Sequence, residues 1–226
     1  MMLDICEWQK GNRIDICRIV DISGLPFGEN RGLPYAVLIA KALPKKYVLK
    51  LAEEAADFSV LSQVEEYTDN AADSLAEMIR KRGFCAVSQS EGSLRERKEY
   101  YASEKNTPLP HKKVAVLSGC GWIGKNGLFV TEEYGCALSM CTVLTDMPLH
   151  ENARTIKPPR CGECEMCVQS CPMHILHGAS WRTDVRRDEI INVDHCEKCL
   201  KCLVKCRYSM EYARSAGEHE GVEMAG

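Results

Sequence analysis

The chain is 226 residues long, 45% apolar and 27% charged with a formal net charge of −3, a balance that excludes a disordered protein and a general nucleic-acid binder. Fourteen residues are cysteine. The start, Met1 to Trp8, shows no basic-then-apolar leader, and no apolar run approaches the roughly 18 residues of a membrane span. A disulfide-stapled secreted domain does not fit, and a cytoplasmic protein of a reducing, anaerobic or nearly anaerobic cell is predicted.

In chain order, Ile14 to Val20 alternates loosely into the turn cluster Asp21-Ile22-Ser23-Gly24 and predicts a strand. Tyr35 to Ala42, nearly all apolar between Pro34 and Pro44, predicts a strand buried on both faces. From Lys46 to Arg82 the apolar residues fall three and four apart, as at Leu75, Met78 and Ile79, and Lys81-Arg82-Gly83 closes the run: one long helix or two consecutive ones. Phe84 to Val87 follows as a strand, and Ser93 to His111, polar and holding Pro108 and Pro110, as a surface excursion. Leu128 to Thr131 and Ala137 to Thr145 are strand candidates at hairpin-like spacing around Glu132-Glu133-Tyr134-Gly135. Lys157-Pro158-Pro159-Arg160 can extend neither helix nor ladder and marks a boundary. The predicted organisation is an α/β (α+β) domain over 1–157, a small cysteine-rich module over 158–210 and a flexible tail over 211–226.

The cysteines divide unevenly. Cys6, Cys17, Cys85, Cys120, Cys136 and Cys141 are scattered, while the other eight form two arrays: Cys161-x2-Cys164-x2-Cys167-x3-Cys171-Pro172 and Cys196-x2-Cys199-x2-Cys202-x3-Cys206. This is the spacing of the bacterial two-cluster ferredoxins. Three cysteines two residues apart wrap three corners of an iron–sulfur cube, and in that arrangement the fourth cysteine of each array starts a helix that crosses to the other cube. The predicted ligand sets are Cys161, Cys164, Cys167 and Cys206 for one [4Fe–4S] cluster and Cys171, Cys196, Cys199 and Cys202 for the other. Structural zinc uses two CxxC pairs per ion and does not call for a third cysteine followed by Cys-Pro. Met166 and Met173 are expected to pack around the clusters.

A second distinctive segment is Ser118-Gly119-Cys120-Gly121-Trp122-Ile123-Gly124-Lys125-Asn126-Gly127, whose glycines imply close approach of backbone to something bulky or anionic. Gly119-x4-Gly124-Lys125 fits a Walker A loop, with Val114 to Leu117 as the strand before it, but Asn126 stands where Ser or Thr would hold Mg²⁺. A glycine-rich connection with Lys125 in solvent is the plain alternative.

Gly121-Trp122-Ile123-Gly124-Lys125-Asn126, then Glu133-Tyr134-Gly135, Leu144-Thr145-Asp146-Met147-Pro148-Leu149 and the CxxCxxCxxxCP array, in that order, resemble the epoxyqueuosine reductases and the wider cobalamin-dependent iron–sulfur group that includes reductive dehalogenases. The resemblance runs over about residues 14–206 and is strongest over 111–172. It implies a cobalamin held base-off in the α/β domain, with Gly121, Trp122, Ile123, Gly124, Lys125 and Asn126 against the corrin. It also implies two clusters that relay electrons from an external ferredoxin or flavodoxin to the cobalamin or to a small-molecule or nucleoside substrate. Departures are plain too. The chain is a short form without the helical repeat domain that helps those enzymes hold tRNA, its second array is compact, and Arg207 follows Cys206, which sets it apart from a tRNA substrate. Glu66, in Glu66-Tyr67-Thr68, is the nearest match to the family's catalytic acid, and a solvated helix face is the other reading of that carboxylate. An electron-transfer or corrinoid-reactivating protein without substrate chemistry is the alternative function.

Overall fold

A computed structural model describes residues 4–54, 57–99, 107–150, 155–182 and 184–216. In chain order the elements are α1 (Ile5–Gly11), β1 (Ile16–Asp21), α2 (Phe27–Asn30), β2 (Tyr35–Ala42), α3 (Lys45–Glu53), α4 (Phe58–Arg80), β3 (Ala86–Ser88), α5 (Glu91–Glu96), α6 (His111–Leu117), β4 (Trp122–Ile123), β5 (Phe129–Val130), β6 (Leu138–Thr145), α7 (Met166–Gln169), α8 (Arg187–Ile190), a 3-10 turn (Val193–His195), α9 (Lys201–Val204) and α10 (Arg207–Arg214). The α/β character predicted for the N-terminal part holds. No helix among the described residues is long and apolar enough to cross a membrane.

The chain folds as two compact units, each assembled from three stretches. The first takes the described residues up to Lys41, Gln63–Ser118 and Ser139–Thr155; the second takes Ala42–Ser62, Gly119–Leu138 and the described residues from Ile156 on. These limits differ from the single boundary expected near residue 157. Residues 211–214, expected in a flexible tail, close α10 instead, with Tyr212 only 5% exposed; 217–226 lie outside the described residues.

The first unit is built on a four-stranded sheet ordered β1-β2-β6-β3. β1 and β2 run antiparallel from Ile16↔Ala40 to Asp21↔Tyr35, and β3 and β6 from Ala86↔Thr145 to Ser88↔Val143. β2 is buried along both faces, as its unbroken apolar run requires. Val37 and Ile39 of β2 and Cys141 and Val143 of β6 meet Ala72, Leu75, Ala76 and Ile79 of α4 and Ile5 and Trp8 of α1 in one core. The spacing of those α4 residues puts them on one stripe, which is why this segment is helical. The unpredicted α1 starts at Asp4, whose carboxylate accepts from Cys6 N at 2.8 Å and Glu7 N at 3.0 Å. On β2, the buried Lys41 ammonium donates to Arg13 O at 2.7 Å and pairs with Asp15 at 3.3 Å.

Three expectations fail. Val114 to Leu117 lies in helix α6 rather than in a strand: four apolar residues are too short to set a period, and Pro110, with no N–H of its own to satisfy, caps the helix start. The supposed excursion after Ser93 begins inside α5, whose Leu94 is 3% exposed, and residues 100–106 of it lie outside the described residues. β5 and β6 form no hairpin either, because β5 pairs back with β4.

His111, at the start of α6, places its Nδ1 2.9 Å from Thr142 Oγ1 of β6, and burial pulls its pKa from 6.5 down to about 4. The folded state therefore resists a proton that the unfolded chain accepts, so the stabilising contribution is full above pH 6.5 and is lost as pH falls toward 4. Denaturant midpoints compared at pH 7.5 and pH 5 should show the parent losing about 2 kcal/mol more than His111→Asn over that interval. Parallel losses in the two proteins would contradict this.

Candidate metal centre

All eight array cysteines belong to the second unit. The two arrays are folded alike. Cys167 is the second residue of α7 and Cys202 the second residue of α9, each a single helical turn. Tight left-handed backbone bends the loops around them, at Gly162 (φ 52°) in the first array and Lys198 (φ 54°) and Leu200 (φ 59°) in the second. Cys164 N donates to Cys161 O at 3.0 Å, and Lys198 N donates to Cys196 Sγ at 3.4 Å, an amide aimed at a sulfur rather than at oxygen. The fourth cysteines differ from expectation in one respect. Cys206 does start a helix, as the N-cap of α10, but Cys171 is followed by Pro172 and a left-handed His174 (φ 50°), and the chain turns into an extended segment. That segment pairs with the stretch before the second array: Leu176 bridges Ile191, His177 N donates to Ile190 O, and Asn192 N to Ile175 O.

Cys167, Cys171, Ile175 and Leu176 form a small core, with Val168, Ile191, Cys196 and Cys202 packed against it. Burial pushes the Cys167 thiol up to about 11, and the charges raising it further are those of Cys161, Cys206 and Cys164. Burial likewise raises Cys202 to about 12, helped by Cys167, Cys199, Cys196 and Cys171. Free thiols at these sites would stay protonated; a bound metal cluster would supply the positive charge that holds them as thiolates. Among the described residues, no three His, Cys, Asp or Glu side chains converge as a set for a single metal ion. A cube instead presents separate corners, one to each thiolate. Met166 and Met173, expected to pack around the clusters, are 53% and 40% exposed.

The glycine segment is not an open loop. Trp122 and Ile123 form β4, which pairs with β5 at Trp122↔Val130 and Ile123↔Phe129, and the hairpin turns through Lys125, Asn126 and Gly127 (φ 69°). Residues 121–126 are buried throughout. A Cβ on Gly121 would sit 2.2 Å from Val130 O, and one on Gly124 2.8 Å from Asn126 Oδ1, so both glycines serve the hairpin's own packing. Asn126 donates to Cys202 O at 3.3 Å while its Oδ1 accepts from Leu128 N at 3.1 Å. Lys125, 7% exposed, faces Glu165 at 4.0 Å, which removes the reading of a solvated lysine. A Walker A loop lies between a strand and the helix that binds phosphate; here a helix comes before and a strand within, so that reading is removed as well. Trp122 keeps an unused group: its ring meets Tyr208 edge-on at 5.1 Å, and its buried Nε1 has no hydrogen-bond partner among the described residues.

The hairpin and the residues after it lie along α10. Gly135 rests on Ser209, Tyr134 meets Tyr212 edge-on at 5.4 Å, and Cys136 N donates to Ser209 Oγ at 3.1 Å. α10 in turn packs on α3, and Tyr212 Oη donates to Leu43 O, just ahead of that helix, at 2.8 Å. These contacts are the reason that 42–62 and 119–138 fold with the cysteines.

Glu66, in the first unit, is exposed on α4. The better-buried carboxylate is one turn on: Asp69 has its pKa raised by burial, accepts from Glu91 N at 2.8 Å and hydrogen-bonds Cys141. Together with Asp73, which accepts from Ser90 and Ser93 hydroxyls at 2.8 and 3.0 Å, it anchors the start of α5.

Residues 153–220 match the family model of the 4Fe-4S dicluster domain. The class is thus an iron–sulfur protein with a ferredoxin-like dicluster domain. An epoxyqueuosine reductase from Lactococcus garvieae is 31% identical over 126 residues, covering 49% of this chain and 35% of that one. One from Synechococcus sp. is 36% identical over 127 residues, covering 50% and 39%. The chain spans little more than a third of the length of these two curated relatives. Among solved structures, epoxyqueuosine reductase from Streptococcus thermophilus aligns with a TM-score of 0.59 at 16% identity, over 91% of this chain and 65% of that one. A catabolic reductive dehalogenase aligns with a TM-score of 0.63 at 16% identity, over 87% and 30%. The chain therefore has the epoxyqueuosine reductase-like fold, related to that of the reductive dehalogenases, with a dicluster domain at its C-terminal end, and it is shorter than these relatives.

Proposed function

We propose that this chain is an iron–sulfur oxidoreductase that passes single electrons through two [4Fe–4S] clusters to a cobalamin or directly to a substrate. The observation that carries it is the gathering of the thiols beside the family match over 153–220: Cys161, Cys206 and Cys164 act on Cys167, and Cys167, Cys199, Cys196 and Cys171 act on Cys202. The crossed ligand sets themselves are taken from the spacing of the two-cluster ferredoxins. When bound, such clusters take up and release one electron each without bond rearrangement. The chain's own residues hold the thiolates in fixed loops, shield Cys167 and Cys171 from water, and aim an amide at Cys196. The half-exposed Met166 and Met173 give an external donor, a ferredoxin or flavodoxin, an apolar place to approach.

Cobalamin is supported by the fold likeness and by Trp122 Nε1, a buried donor that suits an amide oxygen of the corrin periphery. A second reading, electron transfer without substrate chemistry, is favoured by the glycines of the hairpin, whose missing side chains are filled by the protein itself rather than left as a cradle. Anaerobic reconstitution should yield about eight irons and as many sulfides per chain; zinc in their place, or about four irons, would remove the two-cluster proposal. Titration of the reconstituted protein with cobalamin should then shift its absorbance and saturate near one equivalent. Failure to bind with both clusters intact would leave the electron carrier.

A further inference from the structure

The turn of the glycine hairpin reaches both cysteine arrays. Asn126 donates to Cys202 O at 3.3 Å, and a Cβ on Gly127 would stand 3.2 Å from the side chain of Ile191, which packs on the small core of Cys167 and Cys171. Lys125, the residue before them, brings its ammonium to Glu165, which lies between Cys164 and Cys167 of the first array. The two partners are unequal. At 4.0 Å they are beyond hydrogen-bond reach, and the Lys125 side chain is 9% exposed against 51% for Glu165.

Water screens the carboxylate of Glu165 but reaches the ammonium poorly, so the field that Lys125 sets up inside the unit is not cancelled by its partner. A buried charge is costly unless a counter-charge is close, and among the described residues this distant, half-solvated carboxylate is the one ion pair that Lys125 makes. An iron–sulfur cube held by four thiolates is an anion, and reduction adds one more negative charge to it. A fixed cation in a dry place beside such a cube therefore stabilises the reduced form more than the oxidised one.

Building on the cluster assignment proposed above, we infer that Lys125 is the buried counter-charge of the cluster held by Cys161, Cys164, Cys167 and Cys206, and that it raises the reduction potential of that cluster. The parent, Lys125→Met, Lys125→Arg and Glu165→Gln would be reconstituted anaerobically, their iron counted, and the midpoint of each cluster read by an EPR-monitored titration with dithionite. All four are expected to hold about eight irons. Methionine, unbranched and uncharged, should lower one midpoint, with the reduced-to-oxidised ratio at fixed potential falling about tenfold, or about 59 mV for one electron. Arginine, which keeps the charge, should stay near the parent. Glu165→Gln removes a screened negative charge from the first array and should raise the same midpoint by less. Unchanged midpoints in Lys125→Met, an equal shift of both clusters, or a shift as large with arginine as with methionine would overturn the inference. So would Lys125→Met and Glu165→Gln acting on different clusters, or the loss of about four irons from Lys125→Met, which would make the lysine a support of the fold. A parent without two clusters would instead fail the assignment on which the inference rests.

Discussion

The double variant Cys171→Ala/Cys196→Ala is expected to keep one intact [4Fe–4S] cluster, whereas Cys167→Ala/Cys171→Ala, two neighbours in one array, is expected to keep none. The first pair lies in different arrays but in the same proposed ligand set, that of Cys171, Cys196, Cys199 and Cys202. The second pair lies in one array but in two proposed ligand sets, Cys167 with Cys161, Cys164 and Cys206 and Cys171 with the second array. Were each array to hold its own cluster, the results would be exchanged: the first variant would lose both clusters and the second only one. Iron analysis together with the number of [4Fe–4S] EPR signals per chain reads the difference, and it is a difference of a whole cluster, about four irons.

Gly135→Ala should be the most damaging single change outside the arrays. A side chain at φ 58° costs about 1–2 kcal/mol, and its Cβ would lie 2.2 Å from Ser209 N and 2.5 Å from Ser209 Cα, backbone atoms that cannot rotate away. Overpacking of this kind adds about 1–3 kcal/mol, so a loss of about 3 kcal/mol or more is expected, a large part of a typical domain's stability. Because the clash falls on the first turn of α10, iron should be lost with stability. Gly92→Ala is the control: it lies inside α5 with nothing within 4 Å of its Cβ, and alanine there should stabilise by about 0.5–1 kcal/mol. Anaerobic thermal unfolding of the loaded proteins, with iron counted beforehand, checks both. A Gly135→Ala protein that melts with its parent and keeps its iron would show that the strap from 131 to 137 does not support α10.

How far these features could be read from residues depends on how local their causes are. The cysteine arrays are legible because cluster geometry dictates spacing along the chain, and β2 because burial on both faces leaves an unbroken apolar run between two prolines. α1 could have been found: Asp4 and Glu7 stand at N-cap and N3 before Trp8, the pattern of a helix start. Val114 to Leu117 misled because a short run of Val, Ala and Leu fits either period, and the deciding signal was the upstream Pro110. The glycine segment was ambiguous for a different reason. Glycine is needed wherever backbone comes close, and nothing in Gly121 or Gly124 distinguishes a cofactor from the carbonyl of Val130 or the amide of Asn126. The contacts of the buried Cys136 with Asn126, Leu203 and Ser209 were not legible, since the last two lie far along the chain.

The second unit draws on three separated stretches, and the strand-and-turn piece between Gly119 and Leu138 lies along the helix that follows Cys206. A ribosome releases the first two of these stretches well before the last cysteine, so the unit cannot close, nor Cys206 be set in place, until synthesis has passed α10. Cluster insertion is then a late event in the life of the polypeptide. The cysteine-rich end is consequently not a portable cassette: transplanted alone onto another protein, it would carry its eight thiols but not the strap that seats Cys206.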